Sequence, residues 1–387
     1  MKKAFVTIFP PFEKMHAFKD VGIIPKIMAD NFGYKSFIFC DENIPLDERY
    51  FSKVKLITLK SKKNRTTNSG SYGIFNVLNK IKNLSKDNDE VIINFYHYKI
   101  KHFFLAALSK IIFKNVFIYI KLDLNSTDRA IQFEPKNKIK KIVRNFIIKN
   151  IDFFTVETVN VFNSLKVSKP FLNKIYYLPN GFFLPEDERL NPDFFDKMIS
   201  DKENCILFSA RLDAFQKNTC LMINSFLKSN LWRNGWTLKL SGETENDIIY
   251  FVDSEQKDIF NLAAKSKISL LGHLDRKELY QQMQTAKIFS LSSRYESFGL
   301  VLTEAAANGC VLVGTNVGAM SDITQNGKLG YLVDKHTVDV FSESLVSAAN
   351  NQNLIDLARQ QMEYALSNFD WVNICNNLAK IINEKTK

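Results

Sequence analysis

Short apolar runs recur along the chain with helical patterns between them, and the series starts twice. In residues 1–182 the runs Ala4–Phe9, Ser36–Phe39, Lys55–Thr58, Val91–Phe95, Val116–Ile120, Phe153–Val156 and Ile175–Tyr177 read as strands. Between them, stretches such as Lys99–Ile112 and Lys138–Lys149 place apolar residues at helical spacing. The turn residues Pro179-Asn180-Gly181 close this half, the acidic stretch Pro185–Asp196 reads as a linker, and Ser61–Ser71 reads as a polar loop. The pattern then restarts with Cys205–Ser209, Thr237–Ser241, Ile268–Leu271, Ile288–Leu291, Val311–Thr315 and Gly330–Val333. Strands alternating with helices predict βαβ units and mostly parallel sheets. The expected fold is therefore α/β, with two Rossmann-like doubly wound domains. Residues 1–182 form the first domain, 183–202 the linker, 203–368 the second domain and 369–387 a final helix. Ligands in such sheets sit beyond the carboxyl ends of the strands, so both domains are expected to face a central cleft.

Length supports the division, because 387 residues exceed what one ordinary core holds. With 45% hydrophobic and 24% charged residues the chain is expected to fold, not to stay disordered. No apolar run approaches the roughly 20 residues that span a bilayer, and Met1–Val6 lacks a signal-peptide core. Cys40, Cys205, Cys220, Cys310 and Cys375 are scattered without CxxC spacing, which argues against a disulfide framework or a zinc site and suits a reducing cytoplasm. Charge matters once it is divided. Residues 1–182 hold 31 Lys and Arg against 15 Asp and Glu, a net of +16, while the remainder nets −5. A basic half suits an anionic surface, lipid or nucleic acid.

The chemistry concentrates in the second half. In Ser292–Gly309 a strand ends near Leu291, a loop of small residues follows with Gly299, and a helix begins near Leu300. Free amides and the positive end of the helix dipole at that point suit a pyrophosphate. Glu296 in the loop and Glu304 about one turn into the helix are placed to accept hydrogen bonds from sugar hydroxyls; taken singly, each is equally an ordinary solvated acid. Upstream, Arg211 and Lys217 follow the first strand of the second domain, where two cations can neutralise a diphosphate leaving group or simply be surface charges.

These pieces resemble the retaining glycosyltransferases of family 4, which have the GT-B architecture and in bacteria build polysaccharides and lipid-linked glycans. The similarity runs from Pro179-Asn180-Gly181 through Arg211, Lys217, Ser241-Gly242, Gly272-His273-Leu274, the Glu-x7-Glu element at Glu296 and Glu304, Gly318, and Asn326-Gly327 to Gly330–Val333. Phe369-Asp370-Trp371 resembles the start of a final helix that crosses back to the first domain. The resemblance implies a hexosyltransferase using a nucleotide-sugar, UDP-linked by frequency, with retention and with neither cofactor nor metal. It assigns catalytic work to Glu296, Asp123, Arg211 and Lys217. Glu296 and the amides of Phe298, Gly299 and Leu300 would hold sugar and phosphates, Glu304 the ribose, and Gly272, His273 and Leu274 the base. Ser209-Ala210, Asn218 and Thr244 depart from the family's glycines. In the first half only Gly22 remains of the usual glycine-rich loop, with Lys19 and Asp20 beside it. Where family members carry a histidine this chain offers Asp123, otherwise a helix cap, or His97, otherwise structural.

Asp87-Asn88-Asp89 resembles a metal-binding DxD, but it precedes a strand and so stands at the wrong end of the sheet. Lys136–Lys149 combines six cations with an apolar stripe at Ile139, Ile142, Val143, Phe146 and Ile147. This is a surface helix packed by its stripe, or a face for anionic lipid on the inner leaflet that would suit a lipid-linked acceptor of lipopolysaccharide type. The expected partners are a nucleotide-sugar donor and a glycan or lipid-linked acceptor. The expected location is cytoplasmic, peripheral on the membrane if the lipid reading holds. Three alternatives stand beside this: an inactive GT-B accessory subunit, a nucleotide-sugar epimerase, and a nucleic-acid binder, for which no motif speaks.

Overall fold

The computed structural model describes residues 1–59, 73–97, 100–124, 137–184, 192–261 and 265–386. They form two compact units, the first holding the described residues up to 124 together with 137–183 and 371–386, the second 184 and 192–370. The loop expected at 61–71 lies outside the described residues.

The first unit is built on seven parallel strands: β1 (Lys3–Ile8), β2 (Lys35–Cys40), β3 (Val54–Thr58), β4 (Glu90–Tyr96), β5 (Val116–Leu122), β6 (Phe153–Val156) and β7 (Ile175–Tyr177). Their order in the sheet is β3-β2-β1-β4-β5-β6-β7. Every residue of β4 is buried, as expected of a central parallel strand covered on both faces. Its side chains divide by the strand period of two: Val91, Ile93 and Phe95 join Ala4, Val6 and Ile118 in one apolar layer. Ile92 and Tyr96 join Phe5, Ile38, Tyr119 and Phe153 in the other. The second layer is completed by two helices, Asp20–Asn31 through Ile23, Ile24 and Ile27, and the final Trp371–Thr386 through Trp371, Ile374, Leu378 and Ile382. Trp371 begins the final helix with its amide on the Phe182 carbonyl (3.1 Å).

The second unit repeats the plan with β8 (Glu203–Ser209), β9 (Thr237–Ser241), β10 (Ile268–Gly272), β11 (Ala286–Leu291), β12 (Val311–Thr315) and β13 (Gly330–Val333), all parallel. The order is β10-β9-β8-β11-β12-β13. Buried Lys202 ties this unit together, donating to the carbonyls of Met283 (2.7 Å), Gln284 (3.1 Å), Ala286 (3.0 Å) and Asn308 (2.9 Å).

Each apolar run expected as a strand forms one, with ends that differ by at most two residues. Of the segment taken as linker, residues 185–191 lie outside the described residues. Pro192–Ser200 is a helix with Met198 and Ile199 buried, held also by Arg359 Nε on Asp196 Oδ1 (2.9 Å). Its acidic residues masked an apolar face. In both sheets the strand order reverses once, between β1 and β4 and between β8 and β11, and loops leaving such a switch point are where parallel sheets hold ligands.

Trp371 is fully buried, so Trp371→Ala should cost about 4 kcal/mol, lowering the denaturant midpoint of the first unit. An unchanged midpoint would mean that the final helix adds nothing to that unit.

Candidate active site

At the switch point of the second unit, the loops after β8 and β11 converge. A short turn, Phe215–Lys217, ends on Asn218 at φ +53°, a left-handed conformation that asparagine tolerates better than other side chains and that explains this departure from glycine. The turn aims Lys217 at Glu296, whose Oε1 accepts from the ammonium. Ser293 Oγ donates to the same oxygen (2.7 Å) and Gln216 Nε2 to Oε2 (3.3 Å). Glu296 is only 6% exposed, so these partners replace the water it has lost. Arg294 braces both loops from behind: its amide bonds the Gln216 carbonyl (2.7 Å), its guanidinium bonds Asn218 Oδ1 (2.9 Å) and lies 4.3 Å from the Phe215 ring centroid.

The loop then turns through Gly299, at φ +93°, into the helix Leu300–Ala307. The Phe298 carbonyl is pinned by the Ala319 amide (2.9 Å), and Gly318 approaches so closely that a Cβ there would fall 2.6 Å from that carbonyl oxygen and 2.8 Å from Glu296 Cβ. With φ at +59° as well, position 318 accepts only glycine. Glu304, half-buried on the helix, accepts from Tyr280 (3.3 Å). Burial and the Glu304 charge push the Tyr280 hydroxyl well up, which keeps it a donor.

Lys217, Glu296 and the Phe298–Leu300 turn are thus brought together. Arg211 follows β8 as an exposed residue outside this hydrogen-bonded group. Gly272 ends β10 at φ +69°, its carbonyl bonding the Gly242 amide (2.8 Å), with Leu274 half-buried and His273 exposed 3.8 Å from Glu243. Thr244 bonds Asp213 (2.7 Å), a use for its hydroxyl that glycine could not serve.

In the first unit a charged cluster lies at the carboxyl ends of β5 and β6, against the start of the helix that follows β1. Lys121, fully buried in β5, places its ammonium 2.7 Å from Glu157 Oε1 and 3.8 Å from Asp20 Oδ2. Burial raises the carboxyl pKa of both acids, with Lys121 opposing. His97 and Asp123, which the sequence offered as alternatives, stand together: His97 Nδ1 is 3.4 Å from Asp123 Oδ2. His97 leaves β4 at φ +65°, which costs about 1 kcal/mol and turns its ring toward Phe9 (centroids 5.9 Å). His16, not singled out from sequence, joins them: its Nδ1 accepts from the Glu13 amide (3.0 Å), and burial, followed by the Lys19 charge, lowers its pKa. A Lys in an otherwise apolar strand and a Glu directly after β6 were the legible signals for Lys121 and Glu157.

Gly22 has a packing role in the fold. Its amide donates to the Lys19 carbonyl (3.0 Å), and a Cβ there would meet the Ala17 oxygen at 2.1 Å, so close packing alone requires glycine here. Asp89 of the DxD-like triplet accepts from the Lys2 amide (2.6 Å) at the start of β1. Among the described residues no group of three or more metal-ligating side chains is present.

Residues 191–367 match the family model for glycosyl transferases group 1. Glycogen synthase of Mycobacterium tuberculosis is 29% identical over 181 residues, 46% of this chain and 41% of that protein. The chain thus spans less than half the length of that curated relative. The crystal structure of a glycosyltransferase from Rickettsia africae ESF-5 superposes with a TM-score of 0.71 at 15% identity, covering 100% of this chain and 99% of that one. HepE of Anabaena, solved with UDP and glucose, gives 0.66 at 14% identity over 98% and 99%. The chain has the GT-B fold. Glu296, Lys217 and the Gly299 turn fall within the stretch matched by the family model.

Lys217→Met strands a carboxylate that is 6% exposed and should cost about 3 kcal/mol, whereas Arg211→Met, at an exposed site, should stay within about 0.5 kcal/mol. Denaturant unfolding of both variants checks this. His16 gives a pH dependence. Unfolded, it protonates near 6.5; folded, lower. Its stabilising contribution is therefore complete above pH 6.5 and is lost as pH falls from 6.5 to the folded value. The difference in melting temperature between the wild type and His16→Gln should shrink between pH 7.5 and 5; a constant difference would show that the ring does not titrate in this way.

Proposed function

We propose that this protein is a glycosyltransferase that moves a hexose from a nucleoside-diphosphate sugar, most suitably UDP-linked, to a glycan or lipid-linked acceptor with retention at the anomeric carbon and without a resident metal. One observation carries the reading: the partly buried Lys217–Glu296 pair beside the Gly299 turn, where a cation, a carboxylate and helix N-terminal amides share one strand end. That set fits a sugar diphosphate: the carboxylate accepts from sugar hydroxyls, and the ammonium and amides face the phosphates. Tyr280 orients Glu304 for the ribose hydroxyls. The group 1 match and the UDP and glucose bound in the HepE structure support the donor class.

In the proposed reaction the acceptor hydroxyl attacks the anomeric carbon on the face the diphosphate leaves. The bond from that carbon to the β-phosphate oxygen breaks, the acceptor proton passes to the departing phosphate, and a glycoside and nucleoside diphosphate result. Arg211, Lys217 and the helix amides stabilise the charge developing on the leaving group. His97 and Asp123 are proposed to orient sugar or acceptor from the first unit.

The test is thermal unfolding in EDTA with UDP, GDP and ADP titrated separately. One nucleotide at about 100 times its dissociation constant should add about 2.7 kcal/mol, and Glu304→Ala should abolish the gain. If none of the three raises the midpoint, the donor reading fails and an inactive accessory role takes its place.

A further inference from the structure

The helix Lys138–Lys149 does not pack by its apolar stripe. Of the five stripe residues only Ile147 is buried, and Ile139 (71% exposed), Ile142 (68%), Val143 (51%) and Phe146 (57%) face outward. The buried side of the helix carries Arg144, Ile147 at the stripe's edge, and Ile148. The outward residues follow the spacing i, i+3, i+4, i+7, one continuous face of a helix. By the helical repeat, exposed Lys138 and Lys149 flank that face on one side and Lys140 on the other. The neighbouring helix Ile100–Ile112 adds exposed Phe104, Ile111 and Ile112. A soluble surface seldom shows this much ordered apolar area.

We infer that this helix is a docking face for an anionic lipid bilayer, lying in the plane of the headgroups with Ile139, Ile142, Val143 and Phe146 inserted and the three lysines on lipid phosphates. Charge selects this occupant. Residues 1–182 carry a net +16, and apolar side chains rimmed by lysine match a surface that is negative outside and hydrocarbon beneath. An apolar protein groove would satisfy the stripe but not the lysines unless acidic residues rimmed it, and a nucleic acid the lysines but not the stripe. Among the described residues no helix is long and apolar enough to cross a membrane, so attachment through this face is interfacial. The inference is independent of the donor-site reading.

The experiment is flotation of the full chain with vesicles of phosphatidylglycerol and phosphatidylcholine against phosphatidylcholine alone, at low and high salt. The chain should float with the anionic vesicles at low salt and largely sediment at high salt or with phosphatidylcholine. Both Ile142→Ser/Phe146→Ser and Lys138→Gln/Lys140→Gln/Lys149→Gln should weaken binding by about tenfold or more, since each removes one of the two attractions. The mutated residues are exposed, and an unchanged melting temperature shows that loss of binding is not loss of fold. No flotation, or flotation unaffected by both variants, overturns the proposal. So does light scattering that shows a dimer dispersed by Ile142→Ser/Phe146→Ser without vesicle binding, since the stripe would then join two copies.

Discussion

Parallel strands cannot be joined by tight turns; each must be returned by a crossover, and the crossovers cover both faces of the sheet. That constraint shapes both units. It buries β4 throughout and places all the strands' carboxyl ends along one edge of each sheet. It also means that where the order reverses, between β1 and β4 and between β8 and β11, two loops part and leave room for groups that a core would exclude. Lys217 with Glu296 stands at the second reversal, and Lys121 with Glu157 and Asp20 at the carboxyl ends of β5 and β6, beside the first.

The two clusters satisfy their charges differently. Around Glu296 the partners are a half-buried lysine, the buried Ser293 hydroxyl and the amide of half-buried Gln216, so this pair is open on one side. Around Lys121 the charges are enclosed, so that cluster is suited to holding its surroundings in place, with His97, Asp123 and His16 at its edge. The strain accepted at His97 fits an edge position whose ring direction matters.

Glycines illustrate how chemistry and packing are confounded in a sequence. Gly22 and Gly318 look alike in the chain, each in a loop-to-helix region. Gly22 lets a helix approach the Ala17 carbonyl, while Gly318 lets a neighbouring turn press on Glu296 and the Phe298 carbonyl, fixing the loop that bears the carboxylate. Only the neighbouring backbone tells the two apart.

By itself the sequence determined the strands, the parallel class and the restart of the pattern, and it offered Arg211, Lys217, Glu296 and Glu304 as candidates, because periodicity and local spacing are properties of neighbours in the chain. The tertiary structure decided the rest. It paired Lys217 with Glu296 and His97 with Asp123, and enclosed Lys121 between two acids. It also turned the stripe of Lys138–Lys149 to solvent, which the heptad-like spacing could not reveal. The same spacing serves a helix that buries its apolar face and one that presents it, and the difference lies in which side meets the sheet beneath.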